Sequence, residues 1–405
     1  MRIVRHILPY LLFTLLALSV GVYANDAYSP SGIEELRQKI TELEQKLEEL
    51  EAQQAPVEET DSTSEVGGRY QQLPDISLVL QAKGKLSDDQ ADPDRQKIRL
   101  TEAELAIQGY VYPNVRLDAF IAGEPSEHDH SGFHVHEAYV SYIGFRKYLN
   151  LIVGQKFVPF GRANQLHSHS WLYARQPLVL SNLVAPESLA GQGILFDYSL
   201  PIREDLLLRL DFGLWANGSQ GEESDLPDIM VGPGAKLTDR FRTARLWLGK
   251  SIGEAAELEI GCSWAGGRSE QDENTGETDY VHLGGIDLSY RLFGTGARRL
   301  LLRGEYVWRK GTLESGGARA GGYYLFADYR WNKYASAGLL YDWSEFPQDT
   351  SKHESALSAI LTYQFSEQYY IRLQLVHGSR PNVDSYNELW LHWAWGIGPH
   401  THNLE

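Results

Sequence analysis

The chain has 405 residues, a formal net charge of −17 and a mean hydropathy of −0.35. Acidity of this size argues against nucleic acid as a partner. Beyond the N-terminal segment no apolar run reaches the roughly 18 residues of a transmembrane helix, whereas a membrane β-strand alternates lipid-facing and lumen-facing residues and leaves the average hydropathy near neutral. The 23 Tyr, 10 Trp and 38 Gly fit a barrel with aromatic interface belts and tight turns. The single Cys262 rules out an intrachain disulfide and a Cys-rich metal centre.

Residues 1–24 carry Arg2 and Arg5, an apolar run from Ile7 to Val22, and the small-residue signal Val22-Tyr23-Ala24. This pattern predicts a secretory signal peptide cleaved after Ala24. Residues 25–51 contain Ile33, Leu36, Ile40, Leu43, Leu47 and Leu50, alternately three and four apart. That spacing is an a/d seam, opened by a Ser31/Glu34 capping box, and it predicts a periplasmic coiled coil. So short a seam is marginal alone and is stable only where something else gathers several copies. Residues 52–72 lack apolar periodicity and read as a linker.

From residue 73 to 405 the period becomes two. Leu206, Leu208, Leu210, Phe212 and Leu214 share one face opposite Arg209 and Asp211. Leu300, Leu302, Tyr306 and Trp308 oppose Arg303, Glu305 and Arg309; Ile371, Leu373 and Leu375 oppose Arg372 and Gln374. Rows of unpaired Arg and Glu are wrong for the centre of a soluble sandwich but suit a water-filled barrel. Polar segments near 87–94, 124–132, 158–190, 217–240, 266–278, 311–320, 346–352 and 380–385 alternate with tight turns at Pro113-Asn114, Arg146-Lys147, 201–204, Gly253-Glu254, 294–296, Asn332-Lys333 and Glu367-Gln368. Eight loops and seven turns predict an all-β, antiparallel transmembrane barrel of 16 strands with both ends on the periplasmic side. A strand at 229–237 would make it 18. The chain ends on Gly398-Pro399-His400-Thr401-His402-Asn403-Leu404-Glu405 rather than on the aromatic usual for such barrels.

Residues 154–161 read Gly-Gln-Lys-Phe-Val-Pro-Phe-Gly, followed by Tyr173-Ala174-Arg175-Gln176-Pro177 and Gly191-Gln192-Gly193. This run resembles the phosphate-selective porin O and P family of outer-membrane porins. The resemblance implies a trimeric channel in a Gram-negative outer membrane whose Arg and Lys ladders guide anions. Independently, Pro159 ends strand pairing, and the stretch 158–190 is too long for an ordinary hairpin loop. Its apolar runs, Trp171-Leu172-Tyr173 and Pro177 to Leu183, predict that it folds inward and constricts the pore.

Charged rings at a constriction select ions. The candidates are Lys156, Arg162 and Arg175 at the constriction loop, with Arg209, Arg245, Arg303 and Arg372 along the lumen. Pairing with acids such as Glu102, Glu104, Asp211, Glu305 and Glu388 is the competing role for these bases. Histidines cluster at His128, His130, His134 and His136, with His167 and His169 in the loop. His-x-His in a strand places both rings on one face, a workable pair for zinc or copper; polar loop residues without a ligand is the bland alternative. No Gly-x-Ser-x-Gly, His-Glu-x-x-His or phosphate-cradling Gly loop occurs, so no enzyme is expected. The expectation is a porin for small hydrophilic solutes or ions, with two alternatives: a metal-associated channel, or a plugged barrel with a periplasmic tether.

Overall fold

The structure is a computed structural model that describes residues 73–90, 92–124, 132–185, 188–216, 229–230, 236–271, 278–311, 317–366, 368–381 and 383–399. The signal peptide, coiled coil and linker proposed above, and the C-terminal tail from residue 400, lie outside the described residues. The strands are β1 (Asp75–Ser87), β2 (Gln96–Tyr112), β3 (Val115–Glu124), β4 (Gly132–Arg146), β5 (Leu149–Phe157), β6 (Ala190–Arg203), β7 (Leu206–Ala216), β8 (Ile229–Met230) and β9 (Lys236–Ile252). They continue as β10 (Ala256–Gln271), β11 (Thr278–Phe293), β12 (Arg299–Gly311), β13 (Arg319–Arg330), β14 (Ala335–Phe346), β15 (Asp349–Ser366), β16 (Tyr369–Arg380) and β17 (Val383–Ile397).

Sixteen of these close an antiparallel barrel. Each pairs with its neighbours in sequence, and β1 joins β17 through Leu78↔Ile397 to Ser87↔Glu388, so no edge is left open. Among the described residues, the segment expected at 229–237 does not add a wall strand. Ile229 and Met230 form a two-residue ladder on Leu237 and Lys236 of β9, while β7 pairs directly with β9 over most of its length. The strand count is therefore 16 and not 18.

The period-two pattern sorts the faces. Along β12, Leu302 and Tyr306 are exposed while Arg303, Glu305 and Arg309 are buried. The outer face carries Ile286, Leu288, Leu325, Leu339, Leu357 and Leu361, all exposed. So continuous an apolar surface is insoluble in water and suits hydrocarbon. Inside lie Asp287, Ser289, Tyr324, Asp342, Ser344, Ser358 and Gln374, all buried.

At one end the connections are short: 113–114, 147–148, 204–205, 253–255, 294–298, 331–334 and 367–368. The turn expected over 201–204 is displaced, because Pro201 to Arg203 still belong to β6. At the other end, the links expected to be long at 346–352 and 380–385 are also short, 347–348 and 381–382, since strand pairing runs out to Phe346↔Asp349 and Arg380↔Val383.

The interior is filled by the stretch between β5 and β6. It contains two single 3₁₀ turns (163–165 and 168–170) and a short helix α1 (Leu178–Leu183). Val158, Phe160, Leu166, Trp171, Tyr173, Leu180, Leu183 and Leu189 are buried in one cluster with wall residues Phe120, Val281, Leu283, Leu301, Tyr324 and Phe326. Gly161 turns the chain at φ +59°, and a Cβ there would sit 2.4 Å from Glu305 Oε2. Both the angle and the space therefore require glycine.

Leu325 lies midway along β13, outward and 58 % exposed. Leu325→Arg is expected to destabilise the barrel in lipid vesicles by about 2–4 kcal/mol, the usual cost of a charge on a barrel's lipid face near the midplane. Urea titration in vesicles checks this, and an unchanged unfolding midpoint would mean that this face does not meet hydrocarbon.

Candidate functional site

The interior segment is held by polar groups from around the wall. Asn164 closes its neck: Nδ2 donates to the carbonyls of Val158 and Leu189, and Oδ1 accepts the Leu189 N–H at 2.6 Å. Glu305 of β12 accepts the backbone N–H groups of Arg162 (3.1 Å) and Ala163 (2.7 Å) and the Tyr324 hydroxyl (2.8 Å) on one oxygen. Gln374 of β16 accepts the N–H groups of Ala174 and Arg175. Tyr370 donates to the His169 carbonyl, and Asn182 donates to Glu354 of β15. These bonds satisfy irregular backbone that the barrel hides from bulk water.

Two basic cavities flank the segment. Towards the short turns, one of about 340 Å³ is lined by Arg162, Arg291, Arg299, Arg303, Arg330 and Arg372, with Ser336, Thr362, Gln364 and Gln368 between them and no carboxylate among its lining residues. Arg299 and Arg330 are direct cross-strand partners. Like charges so placed repel, and the buried Asp328, two residues before Arg330, offsets part of that repulsion through its electrostatic interaction with Arg299, Arg330 and Arg372. Arg303 donates to Ser289, Arg330 to Gln364, and Arg372 to Thr362 and the Tyr173 carbonyl. None of Arg299, Arg303, Arg330 and Arg372 forms an ion pair with a described carboxylate. Towards the opposite end, a cavity of about 390 Å³ is lined by Lys83, Lys85, Lys97, Arg99 and Arg175, with Asp94 and Glu102. Trp171 lines both cavities. Its ring is buried, its indole N–H donates to the Leu166 carbonyl, and Lys83 Nζ lies 5.7 Å from the ring centroid.

The bases singled out in the sequence separate into two groups. Lys156 pairs with Glu137 at 3.1 Å and sits 4.0 Å over the Tyr139 ring. Arg162 pairs with Glu259, Arg175 takes both oxygens of Asp342, Arg209 lies between Asp197 and Asp211, and Arg245 forks onto Asp287. These five are held by acids; Arg303 and Arg372 face the acid-free cavity, which Arg162 also borders. Sequence reasoning missed Arg291, Arg299 and Arg330. Their signal was present: each occupies an inward-parity position within a few residues of a short turn.

The histidines also separate. His128 and His130 lie outside the described residues. His134, His136, His167 and His169 form a row with ring centroids 4.7, 5.8 and 5.6 Å apart. His167 Nδ1 lies 2.7 Å from Glu104 and Nε2 lies 2.9 Å from Glu137. Burial opposes a charge on this ring, but the facing Glu104 and then Glu137 override it and push His167 up to about 10. Glu102, Glu104 and Glu137, which complete this group, read in the sequence only as lumen-facing acids or not at all.

No protein-family model matches the chain. An uncharacterized protein of Aquifex aeolicus (strain VF5) is 26% identical over 342 residues, covering 76% of this chain and 70% of that one. Among solved structures, the anion-selective porin of Comamonas acidovorans superimposes with a TM-score of 0.56 at 12% identity, over 80% of this chain and 99% of that one. The outer-membrane channel DcaP of Acinetobacter baumannii does so at 0.51 and 12% (80% and 97%), and OprB of Pseudomonas putida at 0.52 and 8% (80% and 94%). At these identities the likeness is one of fold: the chain is a porin-like β-barrel.

Glu305→Ala removes the acceptor of three hydrogen bonds at the base of the interior segment. It is expected to lower unfolding free energy by roughly 1.5–3 kcal/mol, the scale of one charge-assisted bond. Limited proteolysis should then cut within 158–189 where the parent resists, and equal resistance would show that Glu305 does not anchor the segment.

Proposed function

We propose that this chain is an outer-membrane diffusion channel for small hydrophilic solutes that favours anions, phosphate-sized oxyanions among them. The observation that carries this reading is the cavity bordered by six arginines with no carboxylate in its lining; Arg162 and Arg291 are paired with Glu259, and Arg299, Arg303, Arg330 and Arg372 have no carboxylate within ion-pair distance among the described residues. A low-dielectric wall focuses the field of such a cluster and raises the local anion concentration. The second basic cavity continues the same sign towards the opposite mouth. In this reading the 158–189 segment is the constriction, and Trp171, which borders both cavities, is the residue a solute must pass. The apolar outer face supports the membrane location, and the porin-like barrel supports transport over catalysis. A homotrimer belongs to the same reading as an expectation from the porin resemblance; the short N-terminal heptad seam asks only that several copies be gathered.

Single-channel recording in a planar bilayer across a KCl gradient tests it. The parent protein is expected to give discrete steps with a chloride-favouring reversal potential. Arg299→Glu/Arg330→Glu should shift the chloride-to-potassium permeability ratio roughly tenfold, about 1.4 kcal/mol of differential barrier. Trp171→Ala should raise conductance with little change in selectivity. A potassium-favouring parent, or selectivity indifferent to the arginine pair, would overturn the anion reading. Folded protein without steps would overturn the channel reading itself.

A further inference from the structure

Away from the arginine cavity, the wall of β2 and β4 holds a cluster of a different chemistry. Glu102, Glu104, His136 and His167 each offer one ligand atom, and these four atoms lie within 4.8 Å of one another. Two β-bulges build the group. Gln81 pairs with Glu102 but Ala82 with Leu100, which leaves Thr101 as an extra residue in β2. Phe120 pairs with Glu137 but Ile121 with Val135, which leaves His136 as the extra residue in β4. A bulge re-aims side chains, and here the consecutive His136 and Glu137 both face the interior group. The inserted segment brings His167 from the other side.

The oxygens of Glu102 are unevenly used. Its Oε2 accepts from Gln81 Nε2 and the Ser168 hydroxyl, each at 2.5 Å. Its Oε1, on a residue only 5 % exposed, accepts no hydrogen bond and lies 3.7 Å from His136 Nδ1. A buried carboxylate oxygen without a donor is costly, and this one is aimed into a set of nitrogen and oxygen ligands.

We propose that Glu102, Glu104, His136 and His167 bind a divalent transition-metal ion, zinc by preference. Two imidazoles and two carboxylates suit zinc, with bonds of about 2.0–2.2 Å. Calcium needs six to eight oxygens, and magnesium a near-ideal octahedron of them. Tetrahedral ligands at such bond lengths stand about 3.4 Å apart, so small side-chain rotations close the present set. Glu137 remains on His167 Nε2, fixing the ring so that Nδ1 faces the ion, the usual arrangement for a metal-bound histidine. The ion's two positive charges would enter a group that faces three carboxylates, Glu102, Glu104 and Glu137. His134, exposed and one ring away from His136, gives an ion arriving from solvent a first imidazole. The ion would tie β2 and β4 to the interior segment, a role separate from anion selectivity.

The test uses the full-length mature protein refolded in detergent, with cobalt(II) as the spectroscopic probe and zinc by calorimetry. A parental four-coordinate cobalt absorption, displaced by zinc, is expected. His128→Asn/His130→Asn/His400→Asn/His402→Asn removes histidines elsewhere in the chain and should keep both signals. Glu102→Gln/His136→Asn should weaken binding on the order of a hundredfold or more. Glu102→Gln alone keeps the side-chain shape, guards against misfolding, and should show an intermediate loss. Binding lost in the four-histidine variant, or retained in Glu102→Gln/His136→Asn, would overturn the proposal, as would a parent that binds neither ion. None of these readouts depends on which ion the channel conducts.

Discussion

A closed barrel of sixteen strands is too wide for its own inward side chains to meet across the middle. Something must occupy the centre, and here it is the stretch between β5 and β6. That stretch is irregular backbone, so its N–H and C=O groups need partners once the barrel surrounds them. The wall supplies these as carboxylates, amides and hydroxyls at fixed heights: Glu305, Gln374, Tyr370 and Ser263, while Glu354 accepts from the Asn182 side chain. Much of the polar inventory of the inner face thus serves first to seat the segment. The chemistry left over lies at its margins, in the cavities on either side of it.

Those margins differ in kind. On the β2–β5 side, Glu102, Glu104 and Glu137 meet histidines and Lys156, and charge is neutralised within the wall. On the side of β11 to β16, Arg299, Arg303, Arg330 and Arg372 border a cavity whose lining holds no carboxylate, with the buried Asp328 behind them as the nearby acid that interacts with Arg299, Arg330 and Arg372. The two regions make different demands on an incoming ion and lie on different arcs of one wall. An acidic protein can hold a basic cavity because the acids are spent elsewhere. Arg209, Arg245, Arg175 and Arg162 each consume carboxylates in the wall. Further acids, among them Glu222, Glu223, Asp225 and Asp228, fall outside the described residues.

Trp171 joins these features. It belongs to the apolar cluster that packs the segment against the wall, and it also borders both basic cavities. Its position therefore depends on the same anchors, Glu305 and Gln374, that hold the residues on either side of it. A change at either anchor reaches both cavities through the segment that carries Trp171.

Much of the architecture was legible in the chain. The period-two alternation placed Leu302 outward and Arg303 inward, because a strand has no other way to dispose successive side chains. The turn residues and Pro159 marked where pairing stops. Neither the partners of each base nor the bulge at His136 was legible, since both depend on register between strands distant in sequence. Arg175 and Asp342 stand 167 residues apart, yet they form a bidentate pair. Arg299 and Arg330 became neighbours only when β12 and β13 paired in one register, and Glu104 met His167 only when the segment folded inward. Local sequence determined which way each side chain points. Tertiary closure decided which charges cancel and which face a cavity, because cancellation depends on distances that only the assembled barrel sets.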